Sequence, residues 1–282
     1  MFAAGAFAFG AVIASFLNVC IWRIPRGESV VSPPSHCPKC GKRIRWWQNI
    51  PIISWLALRG RCAGCGERIS ARYIAIETLG GVLFLAAFVQ AAWPWFLGEW
   101  PPFAMTPISL AQLPIWFLAY AGLILGAFVD LDHYWIPDRV TIGGMVLGVP
   151  LNLIAAWTMR TPLHNMKFVA VWYAAGLVLG FGGLWLLGFV FSKIFKKEAM
   201  GFGDVKLLGA VGAFFGPVAV VFTLVAAAIA GSVAGIAMIA AGRTKMGNFT
   251  PIPFGPFLAL GAAVWMLWGE VFVAWYMMNL AM

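Results

Sequence analysis

Charged side chains are scarce in this chain of 282 residues. They form 10% of the sequence and hydrophobic residues form 62%, whereas soluble domains average about 25% and 45–50%. This shortage excludes an ordinary soluble domain and predicts a protein that lies in lipid. Acidic residues are the scarcer kind, with 10 against 19 basic residues and a net charge of +9. Membrane topology and attraction to anionic lipid explain that excess, so we expect membrane lipid as a partner and no nucleic acid.

Apolar runs approach the length of about 20 residues that crosses a bilayer as a helix. They predict an all-α polytopic membrane protein with about eight transmembrane helices. The first run has no basic segment before it, which indicates a retained span rather than a cleaved signal. Gly216-Pro217 offers an alternative turn between the sixth and seventh runs. The predicted spans are 2–21, 73–93, 113–130, 140–157, 168–192, 205–222, 223–241 and 255–279.

The basic residues orient the predicted bundle. Ten of the nineteen lie from Arg23 to Arg72, between the first two spans, and none lies in 94–112. Because cytosolic loops carry an excess of Lys and Arg, residues 22–72 are predicted to be cytosolic, with both termini outside. The same topology places Asp130 and Asp204 together at the cytosolic face.

Four of the five cysteines lie in the predicted cytosolic segment. They form two C-x-x-C-G turns, Cys37 to Gly41 and Cys62 to Gly66, and each turn can present two thiolates to one ion. Two such turns complete the tetrahedral four-sulfur set that is typical of structural zinc. Disulfides or redox pairs are the alternative, which a reducing cytosol disfavours. The predicted zinc ligands are Cys37, Cys40, Cys62 and Cys65.

Aspartate is rare, with four residues in the chain, and two of them lie at the ends of apolar runs. Asp130 ends the run 113–129, and Asp204 begins the run 205–222. An ionised carboxylate at bilayer depth costs roughly 2.5–3.5 kcal/mol on insertion scales, so these positions point to function. Two carboxylates that share a water molecule predict acid–base hydrolysis, with either aspartate as the base.

The neighbouring acidic residues are predicted to have other roles. Asp130 and Asp132 point about 200° apart on a helix, so only Asp130 faces the bundle. Asp132 is predicted to be solvated, and Asp138 is predicted to cap the fourth span. The chain then divides into a first transmembrane helix (1–21), a cytosolic zinc-knuckle domain (22–72) and a transmembrane aspartic peptidase bundle (73–282).

Two glycines precede the second aspartate in Gly201-Phe202-Gly203-Asp204. Glycine lets another backbone approach closely, as an extended substrate peptide would beside the carboxylate. Glu77 is an intramembrane acid and therefore a candidate for function, with a position at the interface beside Arg72 as the alternative. The candidate substrate-binding residues are Gly201, Gly203, Lys206 and Glu77.

The chain resembles the prepilin peptidases, the bifunctional leader peptidases and N-methyltransferases of type IV pilus and type II secretion systems. Its motifs follow that family's order over nearly the whole length, with Ala14 where glycine is usual. The motifs that carry the resemblance are Ala14 to Pro25, the paired C-x-x-C turns, Arg72 to Glu77, Asp130 to Asp138, Gly201 to Lys206 and Pro253 to Pro256.

The resemblance implies a bacterial inner-membrane enzyme that removes the basic leader from prepilins and pseudopilins at the cytosolic membrane border. Cleavage usually falls between glycine and phenylalanine, and the new N-terminus is then methylated with S-adenosylmethionine. Asp130 and Asp204 carry over as the catalytic pair, and the cysteines carry over as the metal or structural set of the cytosolic domain.

The residues themselves do not mark an S-adenosylmethionine pocket. No G-x-G-x-x-G follows a strand, and the glycines of 180–183 are predicted to serve helix packing. Glu77, Gly80 and Gly81 are the remaining candidates in the second span.

The cytosolic segment is itself basic, with ten basic residues less Glu28 and Glu67 giving +8. It should not attract a basic leader, so Asp132, Asp138 and Glu198 are predicted to guide the leader lysines. A preflagellin-type or other G-x-G-D intramembrane protease without methyltransferase activity is the alternative enzyme, and the cysteine turns count against it. A transporter would place its carboxylates near the bilayer midplane, whereas these lie at span ends.

Overall fold

The computed structural model describes residues 2–97, 108–196, 201–242 and 252–280. Outside residues 24–70 these residues are almost entirely helical, and the described ranges contain no strand beyond two isolated β-bridges. A single-turn π-helix, Leu179–Gly183, joins the helices Leu163–Val178 and Leu184–Phe195. The helices are α1 Phe2–Arg23, α2 Ile53–Ala57, α3 Ala71–Leu97, α4 Leu113–His133, α5 Asp138–Thr158, α6 Leu163–Val178, α7 Leu184–Phe195, α8 Phe202–Ala240 and α9 Gly255–Leu280.

Six helices in the described ranges are long and apolar enough to cross a membrane. A seventh span is added if the helices Gly255–Gly269 and Val271–Asn279, which meet at 68°, count as one. The chain is therefore a multi-pass, all-helical membrane protein, as predicted. The predicted count of eight spans is not confirmed.

The difference in count arises in α8, which has 39 residues and no break at the predicted boundary between 222 and 223. At 1.5 Å per residue a straight helix of this length would measure about 58 Å, nearly twice the hydrocarbon thickness. Its helical geometry fails instead at Gly216, with φ 83° and ψ −179°, directly before Pro217. The alternative turn at Gly216-Pro217 is thus where α8 breaks, because glycine tolerates positive φ and proline lacks an N–H donor.

The chain forms two compact units, Met1–Val89 and Gln90–Met282. In the first, α1 and α3 approach closely at small residues: a Cβ atom on Gly10 would lie 2.6 Å from Phe84 Cβ, and one on Gly81 would lie 2.7 Å from the Phe7 ring. The fully buried Ala14 lies against Gly80 at this contact. The three-part division made from the sequence stays a prediction.

In the second unit, α8 packs against α5, α6 and α9. Small residues again allow the approach, since a Cβ atom on Gly148 of α5 would lie 2.7 Å from Ala213 of α8. Gly180, in the π-helical turn, faces the backbone of Leu208, which confirms the packing role predicted for that glycine. This packing fixes the N-terminal end of α8, where Asp204 lies.

Candidate active site and metal centre

Asp130 lies in the last turn of α4 and is buried, with 6% of its surface exposed. The helix ends three residues later, at His133, because Tyr134 adopts a left-handed conformation, with its N–H bonded to the Asp130 carbonyl at 2.9 Å. The side chain has a second partner: Gly255 N–H donates to Asp130 Oδ2 at 3.0 Å. The first residue of α9 therefore orients one carboxylate of the predicted pair.

Asp204 lies in the first turn of α8 and is 8% exposed. The backbone of Gly201 hydrogen-bonds its carboxyl group, and the carboxyl group interacts electrostatically with Asp130. A Cβ atom on Gly201 would lie 3.2 Å from Asp204 Oδ2. The structure thus brings both predicted aspartates into one buried site. Because Gly201 has no side chain, the space beside the Asp204 carboxylate stays open.

Ile136 fills the space between the segments that carry the two aspartates. It is almost fully buried, and a Cβ atom on Gly203 would lie 3.4 Å from its Cβ. On the other side, a Cβ atom on Gly255 would lie 2.9 Å from Ile136 Cδ1 and 2.7 Å from Asp130 Oδ2. Gly255 is therefore a glycine because Ile136 and the Asp130 carboxylate occupy the adjoining volume, whereas a Cβ atom on Gly203 would make only ordinary van der Waals contact with Ile136.

Sequence reasoning missed the role of Gly255. The turn Pro253 to Pro256 was recognised as a motif, but a backbone N–H that serves a distant side chain leaves no signal in residue identity. The one available hint was a glycine between bulky or rigid neighbours at the start of an apolar run.

Lys206 forms an ion pair with Asp138, which joins the N-terminal part of α8 to the first turn of α5. Its ammonium group also lies 5.2 Å from the Phe202 ring centroid. The predicted capping role of Asp138 is wrong: Pro137 occupies the N-cap position, and no side chain caps this helix. Lys206 is thereby occupied by an interhelix contact, and the structure does not direct it to the two aspartates.

The remaining acidic candidates lie apart from the carboxylate pair. Asp132 is exposed, as predicted for a solvated residue. Glu198, predicted to guide a substrate leader together with Asp132 and Asp138, lies outside the described residues.

The four cysteines of the insert converge on one point. Their sulfur atoms all lie within 4.8 Å of one another, and Cys37 Sγ lies 3.9 Å from Cys65 Sγ. A tetrahedral ion with bonds of about 2.3 Å requires sulfur separations of about 3.8 Å. The structure forms no disulfide among these cysteines, so the cluster fits a metal ion.

The two cysteine turns have the same backbone geometry. Gly41 N–H donates to the Cys37 carbonyl and Gly66 N–H donates to the Cys62 carbonyl, each at 2.9 Å. Both glycines have positive φ, 68° and 74°, which explains the glycine after each C-x-x-C. The N–H of Gly64 also donates to Cys62 Sγ at 3.3 Å. Together with the backbone N–H of Cys65 and the neighbouring thiols it lowers the pKa of Cys62 to about 6, while the pKa of Cys65 is raised to about 11. The cluster thus holds its first negative charge on Cys62, and a bound metal would favour the thiolate at the other cysteines.

Glu77 is buried in α3, and its carboxylate accepts a hydrogen bond from the Ile52 N–H at 2.7 Å. Ile52 has φ 63°, an uncommon conformation for a β-branched residue. Glu77 therefore stabilises a turn of the insert. Because Gly80 and Gly81 contact α1, these three candidates do not form a cofactor pocket.

Comparison with known proteins places this chain beside a set of bacterial relatives. Residues 8–91 match the model of the bacterial peptidase A24 N-terminal domain, and residues 117–236 match that of the type IV leader peptidase family. A prepilin leader peptidase/N-methyltransferase from Stutzerimonas stutzeri is 33% identical over 96% of this chain and 92% of its own length.

Two further relatives agree. A type 4 prepilin-like proteins leader peptide-processing enzyme from Escherichia coli is 36% identical over 89% of this chain and 88% of its own length. A prepilin leader peptidase/N-methyltransferase from Myxococcus xanthus is 38% identical over 86% of this chain, which spans 64% of that longer relative. No solved structure matches the chain.

Proposed function

This chain belongs to the type IV leader peptidase family, and from that premise we propose that Asp130 and Asp204 remove the leader from type IV prepilin-like substrates. The observation that carries the proposal is the meeting of two buried carboxylates from α4 and α8 in one site. Neither helix end contains another buried acid among the described residues. A second activity, N-methylation of the new N-terminus, completes the function.

The chemistry assigned to the pair is general acid–base hydrolysis. One carboxylate accepts a proton from water as the water attacks the scissile carbonyl, and the other donates a proton to the leaving amine. Two adjacent carboxylates suit this division because their mutual repulsion disfavours the doubly ionised state. Gly255 N–H holds one oxygen of Asp130, which leaves the other oxygen for water.

The substrate peptide is proposed to lie extended at Gly201. The glycine leaves room beside the Asp204 carboxylate. An extended substrate backbone also exposes the scissile carbonyl to attack, because that carbonyl is not hydrogen-bonded within a helix. The cut then falls at the membrane border, in keeping with the position of both aspartates at helix ends. We place the chain in the bacterial inner membrane with residues 22–72 in the cytosol, where the leader also lies.

The cysteine cluster is proposed to hold structural zinc. All four protein ligands would be sulfur, so no coordination position is left for water or substrate. Methyl transfer requires S-adenosylmethionine as donor, and the candidates Glu77, Gly80 and Gly81 do not fit a pocket for it. No step of methyl transfer is assigned to them.

A mass measurement tests the proposed cleavage. Purified protein is incubated with a prepilin and S-adenosylmethionine, and the product is weighed by mass spectrometry. The expected product has lost its leader and gained one methyl group. Asp130→Asn and Asp204→Asn should each lower cleavage by about 10²–10⁴-fold, the usual contribution of one general acid or base.

Asp132→Asn is the matched control, because it makes the same change two residues from Asp130 on an exposed side chain. At saturating substrate it should leave the cleavage rate unchanged, because the predicted role of Asp132 in guiding the leader would alter only the apparent affinity for substrate. Full leader removal by both buried-site variants would overturn the assignment of Asp130 and Asp204.

A further inference from the structure

A narrow groove runs along one face of α1 in the first compact unit. It has a volume of about 300 Å³, and α1 lines it with Val12, Ser15, Phe16, Val19 and Arg23. These positions recur every three or four residues, so they form one stripe of the helix. The opposite wall comes from the segment 30–35 and from Asn49 and Pro51.

Arg23 lies at the end of this groove and is 93% buried, since 7% of its surface is exposed. Its guanidinium donates to the Ser29 carbonyl at 2.9 Å and to the Pro33 carbonyl at 2.7 Å. A guanidinium has five N–H donors, so three remain. Among the described residues no carboxylate pairs with it, although buried charges are normally paired. Arg23 therefore offers an anion a buried positive charge with N–H donors to spare.

The groove becomes apolar away from Arg23. Val12 and Phe16 are exposed on a helix that is long and apolar enough to span a membrane. The eleven steps along the helix from Val12 to Arg23 rise about 16 Å, which is half of a hydrocarbon core. A ligand that fills the groove must therefore combine a negative head with an apolar tail.

The size of the groove selects among such ligands. A helix segment about 16 Å long with its side chains occupies roughly 1,300–1,800 Å³, so a groove of about 300 Å³ cannot enclose the helix of a substrate. An extended chain is thin enough to lie in it. A polar methyl donor such as S-adenosylmethionine also has no apolar tail to contact Val12 and Phe16 at the end of the groove away from Arg23.

We propose that this groove binds one acyl chain of an anionic phospholipid, with the phosphate at Arg23. The phosphate supplies the missing counter-charge and accepts the remaining N–H groups, and the chain covers Phe16 and Val12. The position of Arg23 at the end of α1 places that phosphate at the depth of the lipid headgroups.

Native mass spectrometry of the full chain tests the proposal. Detergent-purified protein is titrated with phosphatidylglycerol or with phosphatidylcholine of the same acyl chains. We expect one retained phosphatidylglycerol, bound about tenfold more tightly than phosphatidylcholine, as one charge-assisted interaction would provide. Equal binding of the two lipids would overturn the proposal.

Matched tryptophan variants locate the site. Val12→Trp fills the groove, whereas Val225→Trp adds the same side chain to an equally exposed valine of α8; both valines are 53% exposed. Val12→Trp should lower lipid retention about tenfold, by obstructing the apolar chain, and Val225→Trp should leave it unchanged. Equal retention by the two variants would refute the groove as the site.

Arg23→Gln tests the head-group contact and should remove the preference for phosphatidylglycerol. Because Arg23 also holds the carbonyls of Ser29 and Pro33, folding of this variant is checked by its thermal transition. If the variant does not fold, the tryptophan pair decides the question. A folded Arg23→Gln protein that keeps the preference would contradict the role of Arg23.

Discussion

The cysteine insert and the aspartate site both gather residues that are distant in the chain, but different forces hold them. Between residues 24 and 70 only Cys37 and Gly60 are buried, so the insert has almost no apolar core. Around the aspartates, Val129, Ile136 and Val205 are all nearly inaccessible to solvent. One site is built from local turns that a metal can join, and the other depends on helix packing.

The difference shows why one site could be read from the sequence in full and the other only in part. A C-x-x-C-G turn contains both of its ligands and the glycine that shapes it, so its geometry is encoded within five residues. The aspartate site also needs Gly255 and Ile136, whose contributions depend on how separate helices meet.

Removal of the metal should produce the largest effect. It tests most directly whether the insert and the aspartate site are held together by different forces. Structural zinc contributes about 10–16 kcal/mol of binding free energy in small peptides, which exceeds what the few buried residues of the insert can supply. Cys37→Ser/Cys62→Ser, or chelation, should expose residues 24–70 to protease while helix content by circular dichroism persists.

Cys20→Ala is the control for that experiment, because it removes the one thiol outside the cluster. Its metal content, measured by elemental analysis, should match that of the unchanged protein. An insert that resists protease equally well without metal would show that the turns fold independently.

Gly255→Ala should produce the next largest effect, confined to the aspartate site. The added Cβ would lie 2.7 Å from Asp130 Oδ2, so the carboxylate or α9 must move. A displacement of about 1 Å in a catalytic group can cost 10²-fold in rate. We expect cleavage to fall by about that factor while metal content stays constant.

Gly143→Ala is the matched change, since a Cβ atom at that helical glycine meets nothing within 4 Å. It should cleave prepilin at the normal rate. Normal cleavage by Gly255→Ala as well would mean that the Gly255 contact does not position Asp130.

Disruption of the ion pair between Lys206 and Asp138 should have the smallest effect. It tests how far the aspartate site depends on the position of α8 against α5. Asp138 is 63% exposed, and exposed pairs contribute about 0.2–1 kcal/mol. Lys206→Met and Asp138→Asn should therefore lower cleavage by about twofold to fivefold, through a small shift of α8 against α5.

The reversed pair, Asp138→Lys with Lys206→Asp, should recover part of that loss if the contact only positions the helices. Initial cleavage rates at low and high salt provide the measurement. A severe loss in Lys206→Met that the reversed pair does not relieve would instead favour a direct role for Lys206 with substrate.

Much of the fold was predictable because lipid imposes a strong rule on sequence. Every buried backbone group must be bonded within the chain, so long apolar runs become helices. The exact division of α8 was less predictable, since residues 207–241 contain no charged side chain and Pro217 is their only proline. The position of that break depends on where α8 packs, and hydropathy does not record packing.

The sequence by itself determined the membrane class, the four-cysteine cluster and the two aspartates at helix ends, because each follows from composition or from short-range spacing. Only the tertiary structure decided which groups serve them: Gly255 for Asp130, Asp138 for Lys206, and a groove with an unpaired charge at Arg23. These contacts join residues far apart in the chain, and their partners are chosen by distance and direction in space, which residue order does not specify.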